Sequence, residues 1–191
     1  PVKRDEKNRK RKTRYNLRML TPGHLAASYL ISQTPRLKGY TPTIRETIFI
    51  VAAGYILDLD ILIAPFFGVK ASYHHFLPTH TPLFVFLIFA ISFIFLKNKV
   101  KPLILWLALV AMLSHLVFDD IGYWFQLLGW QEESKIPQIF WFYPFDWRRG
   151  VTILQVEQSR SGYETIVLYL NQARANVIVE FMLVVGAITA F

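Results

Sequence analysis

The side chains of this chain that could do chemistry are five histidines and a few aspartates, and they occur in short clusters. The segment "LSHLVFDD" (113–120) carries His115 and Asp119 four positions apart, which on a helix places both on one face with Cβ atoms about 5–6 Å apart. Two such side chains can bind one divalent ion, or they can simply form a hydrogen bond that satisfies both polar groups. Asp120 lies about 100° further round the helix, and we leave it out of the site.

Three other segments supply the remaining candidates. "YILDLD" (55–60) presents Asp58 and Asp60 two positions apart, so a regular helix directs them to nearly opposite sides. We expect one to bind the ion while the other supports it, caps the helix or acts from a distorted last turn; alternatively, both face water at a membrane edge. The connector "HHFLPTHT" (74–81) and the helix start "TPGHLAAS" (21–28) supply the remaining histidines, which are His74, His75, His80 and His24.

These side chains predict a metal site with hydrolytic chemistry. The chain has no cysteine, and a site of imidazoles and carboxylates suits zinc or a similar divalent ion. Six ligands suit one catalytic ion with helper groups or two neighbouring ions, which would clamp the oxygens of a phosphoryl transfer while a metal-activated water attacks. An uncoordinated aspartate would act as general base or orient a ligand. The predicted metal ligands are His24, Asp58, His75, His80, His115 and Asp119, and the predicted catalytic groups are Asp60 and His74.

Apolar blocks must position these groups. The chain of 191 residues is 53% hydrophobic, with blocks at 47–57, 82–96, 102–113 and 177–191. Each block extends through weakly polar neighbours toward the roughly 20 residues that a membrane-spanning helix needs. The pattern therefore predicts an all-α, polytopic membrane helical bundle with four or five membrane helices and a metal site near one membrane face. A soluble all-α protein is the alternative, and it is disfavoured because block 82–96 has no polar face.

Threading these helices up and down provides a test of the site. We predict helices at about 21–34, 43–62, 82–96, 102–119 and 163–191, with a weak strand or extended loop at 151–158. Alternating passage across the membrane then brings every histidine and the neighbouring aspartates to the same membrane face. Scattered structural histidines would not be expected to converge in this way.

The remaining segments surround this core. Residues 1–18 form a basic tail with nine of the 21 Lys and Arg residues, and residues 19–191 form the membrane-embedded domain. The tail is either solvated or bound to anionic lipid headgroups; we expect no nucleic acid, because no binding motif accompanies the charge. The aromatic region 120–162 is either an interfacial belt or a cover over the site, where Arg148 and Arg149 would bind a lipid phosphate. Glu180, inside the last apolar block, is a further candidate ligand or acid, or it pairs with a donor in the bundle.

The order of the motifs resembles a known family. "GHLAAS", "LDLD", "HHFLPTHT" and "SHLVFDD" follow one another as do the motifs of the YdjM-type predicted inner-membrane metal-dependent hydrolases. The order is also similar to that of the zinc-dependent phospholipase C and nuclease superfamily. The resemblance covers about residues 21–120. It implies a membrane-bound metal-dependent hydrolase with site residues His24, Asp58, Asp60, His75, His80, His115 and Asp119.

Four positions depart from the pattern of that family. Leu57 stands in place of a proline, Ile61 of a histidine, Phe76 of an arginine and Thr81 of a serine. The missing histidine removes a potential ligand and the missing arginine a potential phosphate contact. The resemblance therefore leaves open a changed chemistry, or a relative that binds metal without turnover.

Taken together, the sequence favours a membrane-bound metal-dependent hydrolase that acts on a phosphoester or lipid at headgroup depth, integral to the cell (inner or plasma) membrane. One alternative is a divalent-cation or proton transporter that uses the same residues as a transit site. A second alternative is a non-catalytic membrane scaffold whose basic tail recruits partners.

Overall fold

The structure, a computed structural model, describes residues 21–67, 74–75, 77–129, 139–145 and 174–190. This part of the chain is all-helical and contains no β-strand, which confirms the all-α part of the prediction. Its α-helices are α1 (Thr21–Gln33), α2 (Ile44–Tyr55), α3 (Pro82–Leu96), α4 (Pro102–Asp119), α5 (Ile121–Leu127) and α6 (Arg174–Thr189).

Helix ends follow ordinary capping chemistry. Thr43 accepts a hydrogen bond from the backbone N–H of Glu46, whose carboxylate accepts in return from Thr43, so a capping box begins α2. Thr81 caps α3 in the same way through the backbone N–H of Phe84. Proline at the first position begins both α3 and α4, where its missing N–H removes no helical hydrogen bond.

Two elements differ from the sequence-based expectation. The second helix does not run regularly to residue 62, because it winds into a 3-10 helix over Ile56–Leu62. This tighter segment has three residues per turn and carries both aspartates of "LDLD". In addition, α5 forms in a region that we expected to be irregular, and a glycine with positive φ, Gly129, follows its end.

Close helix packing holds the bundle together. α2 packs against both α1 and α4, α3 packs against α4, and α6 packs against α1. Gly54 permits the α1–α2 approach, since a Cβ there would lie 2.9 Å from the Cβ of Ser28 and 3.3 Å from the Cβ of Ala111. The core beside the site is apolar and contains Leu57, Val85, Leu109, Met112, Leu116 and Ile139.

A polar clip joins the starts of α2 and α4 at the opposite end of the bundle from the histidines. The Lys101 ammonium donates to the Tyr40 hydroxyl at 2.7 Å and lies 3.2 Å from the Glu46 carboxylate. Tyr40 in turn donates to Glu46 at 2.6 Å. The hydrogen bond to Tyr40, followed by the one to Glu46, raises the pKa of Lys101 above its usual range.

The outer surface of the bundle is apolar. Phe95, Phe181 and Ile188 are 72%, 68% and 70% exposed. Two helical stretches, Ile44–Phe66 and Pro102–Asp119, are long and apolar enough to cross a membrane, and Pro82–Leu96 and Val177–Thr189 are shorter apolar helices.

Several predictions from the sequence lie outside the described residues. They concern the basic tail 1–18, the departure at Phe76, the extended segment 151–158, the phosphate-binding pair Arg148 and Arg149, and the first part of the last predicted helix, 163–173.

Candidate metal centre

The structure brings together all five histidines and three of the aspartates at one end of the bundle. α1 contributes its first turn, the 3-10 helix Ile56–Leu62 both of its aspartates, and α4 its last turn. The connector before α3 contributes three imidazoles. Seven of these eight residues are at most 6% exposed, namely His24, Asp60, His74, His75, His80, His115 and Asp119. The side chain of the eighth, Asp58, is 15% exposed.

Four ligand atoms lie close together in the middle of the cluster. The Nε2 atoms of His80 and His115 lie 3.4 Å apart. Asp58 Oδ1 lies 3.9 Å from His80 Nε2 and 3.3 Å from His115 Nε2. Asp119 Oδ2 lies 3.6 Å from His80 Nε2 and 3.2 Å from His115 Nε2. Ligand atoms bound to one zinc ion at about 2.0–2.1 Å lie about 3.3 Å apart in tetrahedral geometry, so four of these five separations are near the value that one ion requires.

Asp119 faces two further imidazoles with its other oxygen. Asp119 Oδ1 lies 3.1 Å from the Nε2 atom of His24 and 3.1 Å from the Nε2 atom of His75. One carboxylate thus stands between two pairs of imidazoles, with a different oxygen toward each pair. This arrangement can bridge two ions, or it can bind one ion with His24 and His75 as close helpers.

Asp60 does not face this group of ligand atoms but holds two of the rings from behind. Its Oδ1 accepts from His74 Nδ1 and its Oδ2 from His80 Nδ1, both at 2.6 Å, and the Thr79 hydroxyl also donates to Oδ2. A carboxylate only accepts, so both Nδ1 atoms carry a proton, and in the neutral form of each ring Nε2 is the atom that keeps the lone pair. Asp60 therefore sets the tautomer in which His80 can bind a metal.

Burial keeps His80 neutral. The ring is fully buried, and the loss of solvent lowers its pKa below the usual value, although the hydrogen bond to Asp60 opposes this shift. A neutral imidazole with Nδ1 protonated is the form that donates electrons to a metal through Nε2.

The rings of His24 and His115 contact each other and, through their Nε2 atoms, Asp119. They stack with centroids 4.0 Å apart and an interplanar angle of 23°. Within the described part of the chain, neither Nδ1 atom has a hydrogen-bond partner. The stack orients both Nε2 atoms toward Asp119, since they lie 3.1 and 3.2 Å from its oxygens.

The polar balance of the cluster fits a bound cation. Both oxygens of Asp119 are buried, and among the described residues neither has a hydrogen-bond partner of acceptable geometry. A buried carboxylate needs a cation or hydrogen-bond donors to compensate its charge. Four imidazole Nε2 atoms surround the Asp119 oxygens at 3.1–3.6 Å, and His80 Nε2 lies among them. A divalent ion placed between these atoms would balance the carboxylate charge and accept the imidazole lone pairs, so the residues present fit a metal.

Asp120, which the sequence argument left out of the site, has a structural role beside it. Its Oδ2 accepts hydrogen bonds from the Trp141 indole at 2.7 Å and from the Ile139 backbone N–H at 3.3 Å. Trp141 also packs edge-on against Trp124. Asp120 therefore ties the described part of the aromatic region, 139–145, to the end of α4 next to the metal centre.

Thr79 is a site residue that the sequence argument missed. Its hydroxyl completes the donors around Asp60, and the only signal in the sequence was its place directly before His80. The departures from the motif pattern are also informative. Leu57 is buried in the core, whereas Ile61 is 40% exposed, so the position where the resembling family has a histidine faces outward.

Glu180, the candidate ligand or acid of the last apolar block, belongs to α6. It is buried on α6, the helix that packs against α1. Its role as ligand or acid stays a prediction, as do the individual roles of the clustered residues.

Groups of three side chains within this cluster can hold a metal ion. Ligand atoms lie within 4.8 Å of one another in His74–His75–His80, in His24–His115–Asp119 and in Asp58–His80–His115. Comparisons of the chain with protein-family models, with curated proteins and with solved structures find no match.

Proposed function

We propose that this protein is a metal-dependent hydrolase of the membrane that cleaves a phosphoester of a lipid substrate at headgroup depth. The observation that carries the proposal is the close approach of ligand atoms of Asp58 and Asp119 to those of His80 and His115, at 3.2–3.9 Å. The same geometry, together with the motif order, supports membership of a group like the YdjM-type hydrolases.

The donor set favours zinc. Imidazoles and carboxylates at this spacing suit the ion, and thiolate ligands are excluded because the chain has no cysteine. A zinc ion bound there would supply Lewis acidity and a water nucleophile at neutral pH.

The protein groups have separable tasks in this proposal. His80, His115, Asp58 and Asp119 bind the ion, and His24 and His75 complete a second position around Asp119. Asp60 is a positioning residue, because it acts on the ion through His80. His74 donates its Nδ1 proton to Asp60, so its Nε2 atom is the one that could receive a proton from the reaction.

Membrane placement rests on the apolar exterior and on helix length. α4 has 18 residues, which at 1.5 Å per residue spans about 27 Å, close to the hydrocarbon thickness of a bilayer. We propose four or five membrane helices in the cell membrane, with α3 and α6 as short or tilted members. The ligand-type residues lie at helix ends, which supports a reaction at one membrane face, where lipid phosphates lie. The basic tail 1–18 would bind anionic headgroups.

Metal analysis with a matched pair of variants tests the proposal. The wild type, Asp119→Asn and Asp120→Asn are purified in lipid nanodiscs, equilibrated with zinc, washed and measured for bound metal. We expect stoichiometric zinc in the wild type and in Asp120→Asn, and loss of zinc in Asp119→Asn. These adjacent aspartates are equally buried, so the pair controls for charge and burial. Equal zinc content in all three proteins would contradict the proposal.

Two activity measurements complete the test. Hydrolysis of phospholipids and of a soluble aryl phosphodiester should depend on zinc and should be lost in Asp119→Asn. Zinc uptake into sealed liposomes separates hydrolysis from transport: uptake without hydrolysis would replace the enzyme by a transporter.

A further inference from the structure

An apolar cleft opens between α2, α3 and α4, away from the histidine cluster. α4 forms its floor with Leu105, Ala108 and Met112. The other walls come from α2 with the 3-10 helix that follows it, including Ala53 and Ile56, and from α3, including Ile88, Phe89 and Ser92.

The floor of the cleft points along α4 toward the metal centre. Leu105, Ala108, Met112, His115 and Asp119 follow one another at spacings of three and four, so they form one stripe along α4. The cleft-lining part of this stripe extends about 10 Å along the helix axis, and His115 lies about 4.5 Å beyond Met112. On the opposite wall, Ile56 is two residues before Asp58. A molecule lying in the cleft would therefore have one end directed toward the ligand atoms, about one helical turn away from them.

The lining chemistry selects an aliphatic occupant. Apart from the Ser92 hydroxyl, every lining side chain is aliphatic, aromatic or thioether, and none is charged. The cleft encloses about 170 Å³. A buried apolar cavity of about 150 Å³ is enough to bind benzene. The space is thus sufficient for a segment of hydrocarbon chain and offers nothing to a polar substrate along its length.

The cleft also has a lateral opening. α3 packs against α4 rather than against α2 among the described elements, so α2 and α3 stand apart across the cleft. Ile56 on its rim is 43% exposed. The outward faces beside the opening are apolar as well, for example Phe86 and Leu87 on α3, at 51% and 53% exposure. In a bundle placed in a bilayer, this opening faces lipid tails.

We propose that the cleft binds one acyl chain of a phospholipid and thereby presents the headgroup phosphate to the metal centre. This inference rests on the proposed function for the role of the headgroup, whereas occupancy of the cleft is measured independently of catalysis. Small residues make the slot: Ala53 and Ala108 leave space where a larger side chain would fill it.

Photolabelling tests the occupancy. The protein is placed in nanodiscs that contain a phospholipid with a diazirine on its acyl chain, irradiated, and mapped by mass spectrometry. We expect labels on Ala53, Ile88 and Met112 in excess of those on the outward-facing residues Phe95 and Val110, although the latter are more exposed.

Filling variants from two walls make the test specific. Ala53→Phe on α2 and Ser92→Phe on α3 should each lower cleft labelling about tenfold or more, because added bulk in a hydrophobic pocket discriminates strongly. Ala90→Phe adds the same ring at an exposed position of α3 and should leave the labelling unchanged. Labelling that follows exposure alone in all four proteins would show only surrounding lipid and would overturn the inference.

Zinc content measured on the same samples separates this inference from the proposed function. Cleft labelling in a protein that binds no zinc would refute the hydrolase and leave the acyl-chain site standing. Zinc binding and hydrolysis of the soluble phosphodiester without cleft labelling would refute the acyl-chain site and leave the hydrolase standing.

Discussion

Replacing Asp60 by asparagine should weaken zinc binding even though Asp60 does not face the ligand atoms. The carboxylate accepts hydrogen bonds from His74, His80 and Thr79 through its two oxygens. Asparagine has the same shape, but its NH₂ group cannot accept a hydrogen bond. At least one imidazole Nδ1–H therefore loses its acceptor, and that ring is free to rotate or to move its proton to Nε2. A protonated Nε2 cannot bind the metal.

The size of the effect follows from comparable sites. Loss of a group that orients a metal-binding histidine typically costs about 10–100-fold in metal affinity. This range corresponds to about 1.4–2.8 kcal/mol, and we expect Asp60→Asn to fall within it. Thr79→Val removes one of the three donors and leaves both imidazoles paired, so its effect should be smaller.

Competition with a chromogenic zinc chelator in nanodiscs measures these affinities. Asp120→Asn is the matched control, because Asp120 is equally buried and uses its carboxylate to hold Trp141 instead of a histidine. An affinity of Asp60→Asn within twofold of the wild type would refute the orienting role, as would an equal loss in Asp120→Asn.

Three further predictions concern stability. Zinc at about 100 times its dissociation constant should stabilise the fold by about 2.7 kcal/mol. In thermal unfolding this should raise Tm by roughly 5 to 10 °C compared with protein stripped of metal by a chelator. An unchanged Tm would contradict metal binding. Gly54→Ala should cost about 1–3 kcal/mol, because the new methyl group meets the Cβ of Ser28, and unfolding in denaturant will measure it; a neutral outcome would mean that α1 can move. Lys101→Gln should lower Tm without changing zinc content, since the clip lies at the other end of the bundle. The pKa of Lys101 is raised above 10.5, so the stability that the charged ammonium contributes is complete below that pH. This stability is lost as pH rises through the raised pKa, and there the Tm values of Lys101→Gln and the wild type should converge.

The sequence predicted the regular helices well, because their signals are local. Proline at the starts of α3 and α4 and the length of the apolar blocks placed both helices as the structure has them. The end of α2 was predicted less well. Nothing local in "YILDLD" marks the change to 3-10 winding, since the contacts of the aspartates with His80 and His115 come from residues further along the chain.

The members of the cluster could be named from the sequence, but their tasks could not. Alternating threading needs only helix order, and it predicted that the histidines meet. Which of the two aspartates in "LDLD" faces the ligand atoms depends on backbone winding, and the structure places Asp58 toward them and Asp60 behind two rings. Asp120 could not be assigned, because its partners belong to the aromatic region about 20 residues later.

The spacing of the cluster along the chain has a consequence for how the protein is made. Its ligand-type residues extend from His24 to Asp119, so the proposed metal centre is complete only once the fourth helix has been synthesised. Before that point, the ribosome-bound chain presents imidazoles and carboxylates without Asp119, the carboxylate that several of them share. Because metal binding is coupled to folding, zinc capture at the proposed site would join four segments of the chain in a single late event. Metal loading would then mark completed folding.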